Sequence, residues 1–87
     1  MGKYDALGTF LRRWAVRNKA HQVELSFTQI EGTIRTILPK AASRGEWWSN
    51  ESGDRYSAQC RAWLDSGFEA RLLPGDRVMF SRSGRLP

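Results

Sequence analysis

The chemistry this sequence offers is concentrated in its arginines. Eleven of its fourteen basic residues are Arg, set against nine acidic residues, for a formal net charge of +5. A guanidinium presents a planar fork of donors that matches phosphate oxygens and the edge of guanine, so this balance points to a polyanionic or acidic partner. Arg12, Arg13 and Arg17 cluster near the N-terminus, Arg55 and Arg61 flank Gln59, and Arg71, Arg77 and Arg82 lie near the C-terminus. A second group is Trp47-Trp48 followed by Asn50, where an exposed indole would stack on a base or anchor a protein partner. Adjacent side chains on a helix or an extended segment diverge, so one Trp is expected in the core and the other partly outside it.

Enzymatic chemistry is not expected, because no nucleophile and base can be paired. His21 is the only histidine and falls in a loop, and Cys60 lies on an apolar helical face, where packing is its expected role. With one cysteine the chain forms no internal disulfide and no Cys-rich zinc site, which fits a reducing, cytoplasmic setting. Glu46, Glu51 and Asp54 surround the Trp pair, but they read as a solvated turn with a helix cap, so no metal and no cofactor is expected. Apolar runs fall far short of the roughly 20 residues that span a bilayer, and no signal-peptide segment is expected at the N-terminus.

These residues need elements to hold them. Tyr4, Leu7, Phe10, Leu11 and Trp14 recur at spacings of three and four and predict a helix, with Arg12, Arg13 and Arg17 mainly off its apolar stripe. Residues 22–27 alternate polar and apolar and predict a half-buried strand facing Val23, Leu25 and Phe27 inward. Thr28-Gln29-Ile30-Glu31 matches a capping box, so a second helix is expected to start there, bury Ile30, Ile34 and Ile37, and stop at Leu38-Pro39. Pro39 to Arg44 predicts a further short helix running toward Trp47-Trp48. Asp54 is the expected N-cap of a helix reaching Asp65, with Tyr56, Cys60, Trp63 and Leu64 inward and Gly67 as its stop. Residues 68–73 and 78–82 predict two strands joined across Pro74-Gly75-Asp76.

One domain over residues 1–87 is expected, with 83–87 a loose tail. The lone strand would complete a three-stranded antiparallel sheet with the C-terminal hairpin, since a hairpin alone is marginal. The expected fold is therefore α+β and winged-helix-like, three or four helices on a small three-stranded antiparallel sheet. In such a fold Arg55, Gln59 and Arg61, interleaved with Ala58 and Ala62, would face a major groove. Arg12, Arg13, Arg17, Arg71, Arg77 and Arg82 would hold phosphates. The expected function is a non-enzymatic nucleic-acid-binding module, DNA ahead of RNA. Its rival is a protein-interaction domain, such as an inhibitor or adaptor encoded by a mobile element, docking on an acidic protein surface through Trp47, Trp48 and Asn50. The sequence leaves the oligomeric state open.

Tyr4-Asp5-Ala6-Leu7 with Phe10-Leu11, then Phe27, Ile30-Glu31, Leu38-Pro39, Trp47-Trp48-Ser49-Asn50, Gln59, Ala62-Trp63-Leu64 and Gly67-Phe68, resemble a family of small bacterial and phage-type domains without a settled activity. The resemblance covers most of the chain and implies that Trp48, Ser49, Asn50, Gln59 and Trp63 form a common feature. Members often carry a His two residues ahead of that Gln, where this sequence has Ser57.

Overall fold

The computed structural model describes residues 2–50 and 57–83. Helix α1 spans Asp5–Arg17, strand β1 Gln22–Ser26 and helix α2 Phe27–Ile34. Two 3-10 turns, Lys40–Ser43 and Gly45–Trp48, follow, then helix α3 Ala58–Leu64 and the hairpin strands β2 Phe68–Leu73 and β3 Arg77–Arg82. The protein is thus a mixed α+β fold on one three-stranded antiparallel sheet in the order β1-β3-β2.

The sheet is registered by its apolar alternation. Val23 and Leu25 stand opposite Phe80 and Val78, while Phe68, Ala70 and Leu72 stand opposite Arg82, Phe80 and Val78. Those residues turn toward the helices, and Leu25, Phe68, Ala70, Val78 and Phe80 are buried. Gln22, Glu24, Glu69, Arg71, Arg77, Met79 and Ser81 alternate with them and lie on the outer face, as period-2 geometry requires. Leu7, Leu11, Ile30, Ile34, Trp48, Cys60 and Trp63 close the core from the helical side. Trp48 and Trp63 stack with centroids 5.3 Å apart, and Phe80 meets both at 6.3 and 6.0 Å.

Several elements start or stop elsewhere than the sequence predicts. The capping box lies two residues earlier: the Ser26 hydroxyl accepts from Gln29 N at 3.0 Å and Gln29 Oε1 accepts from Ser26 N at 2.8 Å. Strand β1 therefore passes into α2 without a loop, and Phe27 becomes the first helical residue, its ring 6.0 Å from that of Trp48. Helix α2 ends at Ile34 because Arg35 adopts the left-handed conformation (φ 60°). Its N–H and that of Thr36 both reach the Glu31 carbonyl. The chain then turns Ile37 out to 78 % exposure instead of burying it, while Leu38 goes in, its N–H held by Glu31 Oε2 at 2.9 Å.

The single short helix expected before the Trp pair is two separate 3-10 turns. Helix α3 is capped by Ser57, whose hydroxyl accepts from Cys60 N at 3.1 Å. The expected cap Asp54, the inward Tyr56 and Arg55 lie outside the described residues, as do positions 84–87 of the expected tail. Gly67 ends the α3 segment at φ +83°, a conformation that disfavours any side chain.

Candidate nucleic-acid interface

The arginines do not form one surface. Arg12, Arg13 and Arg17 all stand exposed on the solvent side of α1, opposite the buried Leu7 and Leu11. The Arg12 guanidinium donates to the hydroxyls of Ser66 at 3.0 Å and Thr9 at 3.3 Å. None of the three has a carboxylate within ion-pair distance among the described residues. They surround Val16, which is 87 % exposed, and these four side chains line a shallow concavity of about 330 Å³. Arg12 also lines a groove between α1 and α3 with Asp5, Ala58, Arg61 and Asp65.

Arg71 and Arg77 sit on the outer sheet face, away from the helical layer. Arg77 is held by Glu24 at 2.7 Å, an exposed pair of the kind that contributes at most about 1 kcal/mol. Arg82, expected at the wing, is engaged within the fold. It faces the helices, and its guanidinium donates to the carbonyls of Ala15 (3.0 Å), Asn18 (2.6 Å) and Ala20 (3.0 Å) at the C-terminus of α1. The same group lies over the rings of Trp14 and Phe68 at 5.5 and 5.9 Å. Sequence placed Arg82 at the far end of a strand, next to the tail, and could not tell that the carbonyls of a distant helix end would meet it.

Helix α3 presents less than expected. It has seven helical residues, and Ala62 is buried rather than outward. The Ala62 carbonyl oxygen would stand 2.9 Å from any Cβ at Gly8, and the Ser66 hydroxyl lies 3.1 and 2.8 Å from the Gly8 and Ala62 carbonyls. A glycine in α1 thus admits the α3 backbone, and this approach turns Ala62 inward. Gln59 is half-buried, its amide donating to the Trp47 carbonyl at 3.4 Å. Ala58, Arg61 and Asp65 remain exposed.

Trp48 and Asn50 are likewise engaged within the fold. Trp48 is 2 % exposed and its indole N–H donates to the Ala42 carbonyl at 2.8 Å. Asn50 docks on the free edge of β2: Oδ1 accepts from Ala70 N at 2.7 Å and Nδ2 donates to Ala70 O at 2.9 Å. The same Oδ1 accepts from Trp63 Nε1 at 2.9 Å. One side chain thereby imitates a strand neighbour at the sheet edge and satisfies the indole of a fully buried Trp. Trp47 is half-buried, edge-on to Tyr4 and Trp48 at 5.7 and 4.6 Å. Of the motif residues, Trp48 stacks on Trp63, Trp63 bonds Asn50, and Gln59 reaches the Trp47 carbonyl beside them.

Burial pushes the Cys60 thiol above its ordinary pKa, with the Asp65 carboxylate adding to the effect, which leaves it a poor nucleophile. His21 is exposed, and its carbonyl accepts from Arg82 N at 2.8 Å. Among the described residues no cluster of three or more His, Cys, Asp or Glu could hold a metal ion, and no helix is long and apolar enough to cross a membrane. Glu51 and Asp54, considered with Glu46, lie outside the described residues.

No curated protein and no solved structure matches the chain. A family profile described as a domain of unknown function, DUF7662, matches residues 4–84.

Proposed function

The chain belongs to the DUF7662 family, and we propose that it is a non-enzymatic DNA-binding module that grips the phosphate backbone through α1. The observation that carries this reading is the stripe of Arg12, Arg13 and Arg17, three exposed guanidinium groups on one helix face with no carboxylate to neutralise them among the described residues. Exposed cations of this kind release condensed counterions from a nucleic acid and steer its approach. The order of α-helices and strands and the β1-β3-β2 sheet order are compatible with a winged-helix-like arrangement, with two 3-10 turns lengthening the link from α2 to α3. On that reading DNA is the polyanion we favour. The footprint differs from the one the sequence suggests: Arg82 belongs to the fold and Arg71 and Arg77 to another face, so α1 supplies the affinity.

The test is a salt series of binding to a fluorescent mixed-sequence duplex, with the wild type beside the Arg12→Ala/Arg13→Ala/Arg17→Ala variant. Each lost phosphate contact lowers the slope of log K against log salt by roughly 0.9, so the variant is expected to lose about 2 to 3 units of slope. An unchanged slope removes α1 from the interface. Absence of binding by the wild type at low salt overturns the reading.

A protein-interaction role on an acidic surface is the second reading. It is favoured by the exposure of Val16 and Ile37 and by an apolar-lined groove of about 490 Å³ between α1 and α2, walled by Ala6, Phe10, Arg13 and Thr33.

A further inference from the structure

Resting on the DNA reading above, we infer that α1 rather than α3 is the helix that enters the major groove, and that Val16 reads a thymine methyl group. Helix α3 is poorly placed for base contacts. Its Gln59 amide is engaged with Trp47, its Ala62 is packed on Gly8, and an acidic residue, Asp65, stands exposed one turn after Arg61. Helix α1 has 13 residues and an uninterrupted solvent stripe in its C-terminal half, Arg12, Arg13, Val16 and Arg17.

The arrangement of that stripe fits a groove. A short apolar side chain stands among three long cationic ones, so Arg13 and Arg17 reach phosphates or guanine edges directly and Arg12 does so by exchanging its bonds to the Ser66 and Thr9 hydroxyls, while Val16 meets the floor. There the thymine methyl is the apolar group on offer. The six positions from Arg12 to Arg17 rise about 7.5 Å at ~1.5 Å per residue, which covers two or three base pairs and implies a short, weak sequence preference.

The C-terminus of a helix carries partial negative charge, which would ordinarily repel a polyanion. In this protein that end is partly neutralised: Arg82 takes the Ala15 and Asn18 carbonyls and that of Ala20 just beyond, and Asn18 donates to that of Trp14 through its backbone and its side chain. Arg17 in the last turn and Lys19 just beyond add two cations to the same end. Asp5, the helix's one acidic residue, lies in its first turn and shares surface grooves with Arg12 and Arg13 but makes no ion pair with either.

The experiment compares two duplexes of alternating adenine and thymine, one with every thymine replaced by deoxyuridine. Phosphate charge is the same in both and the methyl group is absent from the second. The wild type is expected to bind the thymine duplex about four-fold tighter, the effect of one buried methyl. Val16→Ala, at an exposed site where folding is not at stake, is expected to bring the ratio near one with an unchanged salt slope. Arg61→Ala on α3 is expected to leave the ratio intact. A wild-type ratio of one with salt-dependent binding to both duplexes overturns the inference and leaves the phosphate-binding function standing, as does a ratio that survives Val16→Ala or disappears in Arg61→Ala. Failure of the wild type to bind either duplex at low salt overturns both together.

Discussion

Asn50 shows how much one side chain can carry in a small protein. Its amide makes three hydrogen bonds, two to the backbone of Ala70 on the β2 edge and one to the indole of Trp63, whose side chain is fully buried. Replacing it with Ala leaves an indole donor and a peptide group without partners where little water enters, and each such group costs about 1–3 kcal/mol. Asn50→Ala is expected to lower unfolding stability by roughly 2–4 kcal/mol in urea titration, a large share of what a domain this size possesses. Asn50→Asp keeps both acceptor contacts but sets a carboxylate oxygen against the Ala70 carbonyl oxygen where Nδ2 stood 2.9 Å from it, so it too should destabilise. Arg82 is a second case in which an apparent ligand residue is a structural one, because five N–H groups on one plane match a fan of carbonyls that a lysine could not span.

At the scale of elements, the join between α1 and α3 depends on Gly8. An alanine there would gain up to about 1 kcal/mol of helix propensity, yet its Cβ would stand 2.9 Å from the Ala62 carbonyl oxygen and 3.1 Å from the Ser66 hydroxyl. The nearest atom belongs to the backbone, so the helices must separate. Gly8→Ala is expected to destabilise by about 1–3 kcal/mol despite the better propensity, read as a drop in the urea midpoint at unchanged m-value. The passage from β1 into α2 depends on the reciprocal Ser26 and Gln29 bonds. They satisfy backbone donors at the point where ladder pairing ends and helical pairing has not begun.

For the whole molecule, the ionisable groups with shifted pKa values set its response to alkali. Burial raises Tyr4 from its ordinary 10.0 and, with help from Asp65, Cys60 from its ordinary 9.0. A group whose folded pKa is raised holds its proton more tightly when folded, so its stabilising contribution is complete below the unfolded value and disappears as pH climbs through the folded one. Urea midpoints should therefore fall above about pH 9, and Cys60→Ala should remove the earlier part of that fall. The same burial makes native Cys60 slow to alkylate near neutral pH, with rapid labelling only after denaturation. Charge acts at this scale too: the α1 stripe carries three arginines, whereas on the outer sheet face Arg71 and Arg77 are matched by Glu24 and Glu69, so the two surfaces cannot be treated as a single footprint.

Local signals in the chain determined the α+β class, the hairpin across Pro74-Gly75-Asp76, the stop at Gly67 and the apolar stripe of α1, because periodicity and turn chemistry act over a few residues. Boundaries moved where two local signals competed: Ser26 and Thr28 both offer a capping box, and only the end of pairing with β3 selects the first. Tertiary structure alone decided which polar groups were free to act. Gln59, Asn50 and Arg82 have the side chains of a binding site, but each is spent on a partner at least 12 positions away in the chain. Arg13 and Arg17 look no different in the sequence and stay exposed, while Arg12 is exposed but tied to the Ser66 hydroxyl. Hydrogen-bonding capacity is a property of the residue, whereas its availability depends on which distant backbone groups folding leaves without water.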